Sequence, residues 1–215
     1  MFEVHPHPQR FDGYLKLAAH LKPLLERSEG FIENERFESR RRPGWLLSHS
    51  TWRDEKSLVR WRSQEDHHRV QARGRAEIFQ DYRLRVGEIT ADSQPPPGTM
   101  IQPRRLDETE VGAAKLATFT EITGESAGQL SPAELHLELS NPDVVEYDIF
   151  TSIYTPGKSA LLVGWRSSVA GHAWNPQLPA GATRMRHRAV RILREYGMFD
   201  RRETPQFHAP VARES

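Results

Sequence analysis

Apolar positions in residues 1–90 follow two spacings, one typical of helices and one typical of strands. Apolar residues three or four positions apart predict a helix over 11–28. They also predict a second helix that Asp54 caps and that reaches Phe79, with Gly74 as a point of interruption. Short apolar or alternating runs predict four strands, at 2–6, 31–39, 45–52 and 81–89. The order βαββαβ predicts a ferredoxin-like unit, in which both helices cover one face of an antiparallel sheet.

Part of this pattern recurs in the second half of the chain at a constant offset of 113 positions. The matched features are Phe37 and Phe150, Ser39 and Ser152, Pro43-Gly44 and Pro156-Gly157, Trp52-Arg53 and Trp165-Arg166, and Trp61 and Trp174. Four of the five tryptophans fall into these pairs, which favours duplication of one unit over coincidence within an unrelated second half. The sequence therefore predicts two small units that pack against one another.

The second unit follows the same order but is incomplete. Strands are predicted at 114–122, 144–154, 159–166 and 184–195, and Ser131-Pro132 is predicted to open its first helix. Because prolines and glycines crowd residues 167–181, the second helix is expected to be short or absent. The predicted organisation is a first domain at 1–90, a stiff proline-rich linker at 91–110, a second, degenerate domain at 111–196 and a tail at 197–215.

Composition narrows the class of protein. The 30 basic and 29 acidic side chains give a net charge of +1, which provides no overall field for attracting nucleic acid. The chain has no cysteine, so disulfides, thiolate metal sites and cysteine nucleophiles are excluded. No apolar run approaches the roughly 18 residues of a membrane span, and a soluble cytoplasmic protein is expected. His5 and His7 have strand spacing but lack further metal ligands, so neither a metal nor another cofactor is predicted.

Several short motifs resemble the antibiotic biosynthesis monooxygenase family of dimeric α+β barrel proteins. They are Glu35-Arg36-Phe37-x-Ser39, Pro43-Gly44, Ser50-x-Trp52-x-Asp54-Glu55, Trp61-Arg62 and Asp81-Tyr82-Arg83. In that family two ferredoxin-like units bring their sheets together into one barrel with the helices outside. The resemblance implies that this chain carries both units as an intrachain pseudo-dimer, and it leaves a further homodimer open. It also implies a ligand cavity between a sheet and its helices.

The resemblance leaves several activities open. Members include cofactor-independent oxygenases of aromatic polyketides, quinol oxygenases and haem-degrading enzymes. The haem-degrading members use an asparagine on the first strand and a histidine on the second helix. Here residues 2–6 contain no asparagine and Gln71 stands at the histidine position, so haem degradation is the less favoured activity.

Oxygenation without a metal or flavin needs a substrate that donates an electron to dioxygen once it is deprotonated, such as a phenol, hydroquinone or anthrone. The protein must supply a base, a dry pocket and hydrogen-bond donors for the anion. The predicted catalytic residues are His67, as the base, and Asn34. The predicted substrate-binding residues are Trp52, Trp61, Gln71, Tyr82 and Arg83.

Each of these residues also has a structural reading. His67 could face solvent, the tryptophans could pack the fold, and Arg83 could pair with a glutamate. Two functions therefore remain: oxygenation of a small aromatic molecule, or noncatalytic binding of a small hydrophobic one. Any working pocket is expected in the first unit, because the 113 offset turns Asn34 into Tyr147 and His67 into Ala180.

Overall fold

A computed structural model describes residues 1–205 of the chain. Its strands are β1 (Phe2–Pro6), β2 (Phe31–Ser39), β3 (Leu46–Trp52), β4 (Phe79–Asp92), β5 (Leu116–Gly124), β6 (Val144–Ser152), β7 (Lys158–Trp165) and β8 (Ala182–Gly197). Its α-helices are α1 (Phe11–Glu26), α2 (Glu55–Ser63), α3 (Glu65–Arg73) and α4 (Ser168–Ala173). Every predicted strand is present, with ends shifted by a few residues. Of the predicted tail, the part beyond residue 205 lies outside the described residues.

The strands close into one antiparallel barrel in the order β1-β3-β2-β6-β7-β5-β8-β4. We call β1–β4 with α1–α3 the first unit, and β5–β8 with α4 the second unit. The units join where β2 pairs with β6 and β4 with β8. At the first junction Phe37 faces Ser152 and Ser39 faces Phe150, so residues matched by the repeat pair reciprocally. The predicted intrachain barrel of two ferredoxin-like units is confirmed.

The middle of the barrel is apolar. The rings of Phe37 and Phe119 meet across the two units at a centroid distance of 5.7 Å, and Phe37 also contacts Phe150 at 6.4 Å. Fully buried aliphatic side chains such as Leu47 and Ile192 complete this cluster. Burying each large apolar side chain contributes about 1.5–3 kcal/mol, so this shared core stabilises both units together.

Charged side chains are also buried inside the barrel, and they are paired. Arg188 of β8 binds Glu33 of the first unit at 2.6 Å and contacts Glu121 of the second. A second group joins Glu3 to Arg85 and to Arg42. Burial alone would raise the pKa of Glu3, but the charges of Arg85 and Arg42 outweigh it and lower that pKa to about 2. The barrel therefore contains ion pairs that its low-polarity interior makes obligatory.

The helical segment after Asp54 is broken in a way that the sequence did not predict. Asp54 does cap α2, accepting a 2.8 Å hydrogen bond from the Ser57 amide. The expected single helix then stops at Gln64, whose backbone is extended (ψ 135°) and whose side chain caps α3. Gly74 begins a π-helical turn, Gly74–Ile78, where any Cβ would lie 2.5 Å from the Phe79 ring. The segment is thus α2, α3 and a π turn.

The second unit departs further from the prediction. The helix expected at Ser131-Pro132 is absent, and 3-10 turns at Glu125–Gln129 and Ala133–Leu135 stand in its place. The second of these turns ends at His136 in a left-handed conformation (φ 53°), which stops a helix. As predicted, the other helix is short: α4 has 6 residues. Leucines from this irregular chain, Leu130, Leu135 and Leu137, pack directly on the sheet.

The linker is not a free spacer. Residues 93–115, which we call the strap, run from β4 to β5 along the outside of the first unit. The amides of Arg104 and Arg105 donate to the Glu88 carboxylate at 2.8 and 3.0 Å, and the Arg105 side chain binds Glu55 of α2 at 2.6 Å. The strap is therefore attached to both the sheet and the helices of the first unit. No helix within residues 1–205 is long and apolar enough to cross a membrane.

A fragment of residues 1–95 is expected to dimerise or aggregate. Without the second unit, β2 and β4 become open edges and the apolar inner face of the sheet is exposed. Light scattering after size exclusion should give a higher mass per chain for the fragment than for the full chain at equal concentration. A stable monomeric fragment would contradict this packing.

Candidate functional site

The main cavity lies between the outer face of the first-unit sheet and α1–α3, as the family resemblance implied. Its volume is about 830 Å³, within the range of small-molecule sites. Much of its wall is apolar, with Leu17, Leu21, Leu25, Ile32, Leu58, Trp61 and Val70 among the lining residues. The strap contributes Pro96, Met100 and Ile101 at one side. The cavity is therefore a mostly apolar chamber that the linker helps to enclose.

The helix break at Gln64 positions His67 against Trp61. The imidazole stacks on the Trp61 ring at a centroid distance of 4.3 Å and an interplanar angle of 18°, and Trp61 stacks on Trp52 at 6.3 Å. His67 Nδ1 lies 3.0 Å from the Trp61 carbonyl oxygen. Because a carbonyl can only accept, Nδ1 carries the proton and Nε2 keeps its lone pair. Gln71, one turn further on, approaches Nε2 at 3.5 Å.

The pKa of His67 is low. Burial is the main cause; the Trp61 carbonyl acts in the opposite direction, while the charge of Arg62 adds to the lowering, and the result is about 4. His67 is therefore a neutral imidazole at neutral pH. It is not the solvent-facing residue of the alternative reading.

Asn34 lies on the cavity face of β2. Its Nδ2 donates to Ser48 Oγ and to the His49 carbonyl oxygen, both at 3.0 Å. Both amide hydrogens are thus used, which fixes the orientation of the group. Its Oδ1 forms no hydrogen bond with any residue in the described range 1–205 and is available to accept one from a ligand.

Tyr82 and Arg83 of β4 were both predicted to bind substrate, but their side chains lie on opposite faces of the strand. Alternate residues of β4 face opposite sides, so Tyr82 lines the cavity while Arg83 points into the barrel. Arg83 binds Glu146 at 2.6 Å and Glu195 at 2.8 Å. The prediction that Arg83 binds substrate is corrected for this reason. Tyr82 Oη accepts hydrogen bonds from Arg201 at 2.6 Å and Arg75 at 3.3 Å.

The cavity also contains cationic side chains that were not among the predicted site residues. Arg36 Nη1 donates to Tyr154 Oη of the second unit at 2.7 Å. Arg62 is only 9% exposed, and its guanidinium carbon lies 5.4 Å from the centre of the Tyr196 ring. One signal could have found Arg62: it lies four residues after Leu58, on the apolar stripe of α2 rather than on its polar face.

The equivalent space in the second unit is filled. Trp165 and Trp174 pack together at 5.8 Å, as Trp52 and Trp61 do in the first unit. Leu130 and Leu135, both fully buried, belong to the same cluster. The structure thus keeps the tryptophan pair of the repeat while closing the chamber around it. Within residues 1–205 no three His, Asp or Glu side chains are grouped to hold a metal ion.

Two half-buried histidines, His67 and His187, make the free energy of unfolding depend on pH. Burial lowers the pKa of His67 and of His187 to about 4, whereas an unfolded histidine titrates near 6.5. Between these values the unfolded chain binds protons that the folded chain does not, so this stability is complete above about pH 6.5 and is lost as the pH falls. His67 and His187 should together lower the free energy of unfolding by about 4 kcal/mol between about pH 7.5 and pH 5, roughly 2 kcal/mol each. Burial lowers the pKa of His49 well below its usual value, so His49 adds to this drop.

Urea denaturation at the two pH values measures this loss. His67→Gln should reduce the loss by about 2 kcal/mol, whereas His20→Gln, at an exposed position of α1, should leave it unchanged. A pH dependence that is identical in the wild type and in His67→Gln would contradict the assignment.

An antiparallel barrel of two ferredoxin-like halves, with helices outside and a cavity beneath them, is the architecture of the dimeric α+β barrel class. A model of the antibiotic biosynthesis monooxygenase family matches residues 1–73. A protein of Pyricularia oryzae named jasmonate monooxygenase ABM is 38% identical over 220 aligned residues, which span 99% of this chain and 98% of that protein. The chain therefore belongs to the antibiotic biosynthesis monooxygenase family.

One solved structure shares the fold at low identity, and a second has a lower TM-score. An aldoxime dehydratase in complex with butyraldoxime is 11% identical, with a TM-score of 0.51, over 91% of this chain and 80% of its own. An anthrone oxidase-like protein is 14% identical, with a TM-score of 0.34, over 91% and 90% of the two chains. The likeness to the aldoxime dehydratase concerns the fold alone, and the second structure supports no conclusion about this chain.

Proposed function

We propose that the protein is a monooxygenase that oxidises one small, largely apolar molecule in the first-unit cavity. The observation that carries this proposal is the half-buried His67, which stacks on Trp61 and has its Nε2 lone pair in a mostly apolar chamber of about 830 Å³. Family membership supports the reaction class, since the relative from Pyricularia oryzae is named a monooxygenase.

His67 acts as the general base in this proposal. A base with a pKa of about 4 removes a proton poorly when the ligand is absent. An anion that forms next to the imidazole raises its pKa, because the protonated ring and the anion attract one another in a site with little water. The proton therefore moves to Nε2 together with the development of negative charge on the substrate. Trp61 fixes the ring by stacking and through its carbonyl group.

Other cavity residues orient the substrate. Asn34 Oδ1 accepts a hydrogen bond from a substrate hydroxyl or enol, and the stacked pair Trp52 and Trp61 provides a flat apolar wall. Gln71 and Tyr82 supply further polar contacts at the cavity surface. The apolar wall excludes water, which favours electron transfer from the substrate anion to dioxygen over reprotonation.

The atoms and electrons of this reaction balance without an added reductant. An anthrone-type methylene group loses its two hydrogens, gains one oxygen atom from dioxygen and becomes a ketone. A hydroquinone gains one oxygen atom, loses two hydrogens and becomes a hydroxyquinone. In both reactions the second oxygen atom leaves as water with those two hydrogens, and the substrate supplies all the electrons. The substrate class proposed is therefore a phenol, hydroquinone, anthrone or comparable compound with an acidic hydrogen, and no cofactor is included in this proposal.

Oxygen uptake with isotope-labelled gas tests the proposal. Purified protein is supplied with hydroquinones, anthrones and jasmonate under dioxygen labelled with the heavy isotope, with and without an added reductant, and products are analysed by mass spectrometry. The expected result is uptake with at least one compound and one labelled oxygen per product molecule. Stoichiometric binding without turnover of any compound would favour the second function, noncatalytic binding of a small hydrophobic molecule, which the low pKa of His67 also suits.

A further inference from the structure

Lysine and arginine side chains outnumber carboxylates in the lining of this mostly apolar cavity, although the chain as a whole is nearly neutral. Ten lysine and arginine side chains line it against four carboxylates, Asp54, Glu55, Glu88 and Asp92. Each of these carboxylates already has partners. Asp54 caps α2, Glu55 binds Arg105 and Arg194, Glu88 accepts from strap amides, and Asp92 binds Arg186. Five of the ten cations also pair with carboxylates outside the lining: Lys22 with Glu26, Arg53 with Glu29, Arg85 with Glu3, Arg105 with Asp107 and Arg186 with Glu33. The charge of the lining is therefore mostly matched, which makes a cation without an acid partner notable.

Arg62 is a lining cation that pairs with no carboxylate of residues 1–205. Its side chain lines the cavity and is only 9% exposed, yet its guanidinium forms no hydrogen bond or ion pair with any described residue, and its Nε is buried without a partner. The guanidinium instead lies over the face of the Tyr196 ring at 5.4 Å. Arg36, by comparison, donates to Tyr154 Oη. The two Nη atoms of Arg62 have no acceptor within residues 1–205 and are not enclosed, so a ligand in the cavity can supply one.

From this geometry we infer that the ligand is an amphipathic carboxylate whose acid group binds the Arg62 guanidinium while its apolar body fills the chamber beside Trp61. The inference deepens the proposed function and rests on it, because it names the substrate class of the same site. A carboxylate matches the planar fork of arginine and forms two parallel hydrogen bonds with it. The rest of the wall, with leucines from α1 and Ile32, suits a hydrocarbon or ring system.

Arg62 lies near His67, so the proposed binding group and the proposed base are different side chains of one cavity. It follows Trp61 directly, and its charge acts on His67. An acid group held at Arg62 thus fixes one end of the ligand near the base without occupying Nε2. Compounds that have both a carboxylate and an enolisable or phenolic group would satisfy the two sites at once.

Matched pairs of acids and methyl esters test the inference, since an ester keeps the shape and loses the charge. The probes are jasmonate, 4-phenylbutanoate and decanoate, each with its methyl ester, titrated into the full chain at neutral pH and followed by calorimetry and tryptophan fluorescence. At least one acid is expected to bind about 10- to 100-fold more tightly than its ester, the range of a hydrogen-bonded charge pair. Equal affinity of acid and ester in every pair, or no binding by any acid, overturns the inference.

Variants of Arg62 locate the effect. Arg62→Met should abolish the preference for the acid and should raise the melting temperature of the ligand-free protein, because a buried charge without a partner is removed. Arg62→Lys should retain part of the preference. Arg69→Met, at an exposed position of α3 outside the cavity lining, is the control and should bind like the wild type. A lower melting temperature in Arg62→Met, or a retained preference, means that Arg62 has a structural role and overturns the inference.

The two proposals fail separately. Acid-selective binding that depends on Arg62, without oxygen uptake for any compound, leaves the inference standing and removes the oxygenase proposal. Turnover that is equal for acids and esters supports the oxygenase proposal and removes the inference about the carboxylate.

Discussion

Replacing Arg188 with methionine is expected to lower the free energy of unfolding by about 3–5 kcal/mol, because it breaks a buried ion group from one side only. The Arg188 side chain is 1% exposed, and it binds Glu33 of the first unit and Glu121 of the second. After the substitution the buried Glu121 keeps only Lys158 as a cationic partner, and the half-buried Glu33 keeps only Arg186, so both carboxylates lose the cation that they share. Because Arg188 binds carboxylates of both units, its replacement should weaken the contact between the two halves of the barrel. Denaturant unfolding, read as a shifted midpoint at constant slope, measures it.

An exposed ion pair provides the control for this experiment. Arg69 and Glu65 lie on α3 with side chains 68% and 89% exposed, at a distance of 2.8 Å. Arg69→Met should change the free energy of unfolding by less than about 0.5–1 kcal/mol. If Arg188→Met proved as mild as Arg69→Met, the ion groups inside the barrel would not hold the units together.

His67→Gln is expected to lower kcat by about 10²- to 10⁴-fold, the range attributed to a general base. Glutamine is similar in size and can still donate to the Trp61 carbonyl, but it lacks the basic Nε2 lone pair that the proposed chemistry uses. The measurement is steady-state oxygen uptake with a compound that the wild type turns over. KM should change much less than kcat, because the lone pair acts during proton transfer rather than in binding.

The neighbouring histidine makes a matched control. His68 is exposed and does not line the cavity, so His68→Gln should retain wild-type turnover. If His67→Gln kept kcat within about threefold of the wild type, or if both variants lost activity equally, His67 would not be the base.

Local sequence patterns were sufficient for the strands and their order, whereas the barrel was predicted from the resemblance to the family. Strand alternation and the Pro43-Gly44 turn depend on neighbouring residues, and the repeat of Phe37 and Trp52 at Phe150 and Trp165 indicated that two units share one architecture. The break at Gln64 was missed because residues on both sides of it continue the helical spacing.

The candidate site was predicted only in part. His67, Asn34, Trp61 and Gln71 do line one cavity, because helix and strand periodicity put them on facing surfaces. Arg83 was misassigned, since its direction depends on the register of β4 within the barrel. The contribution of the strap was also missed, because a proline-rich stretch gives no sign of where it packs.

The most direct test is a crystal structure of the full chain, soaked without oxygen in a compound that supports oxygen uptake. We expect one molecule per chain, lying in the first-unit cavity against Trp61, with its acidic hydrogen within hydrogen-bond reach of His67 Nε2. We also expect no ligand in the second unit, because Leu130, Leu135 and Trp174 occupy the equivalent space there. A ligand bound inside the barrel or against the second unit, with the chamber beside Trp61 and His67 unoccupied, would contradict this placement of the site.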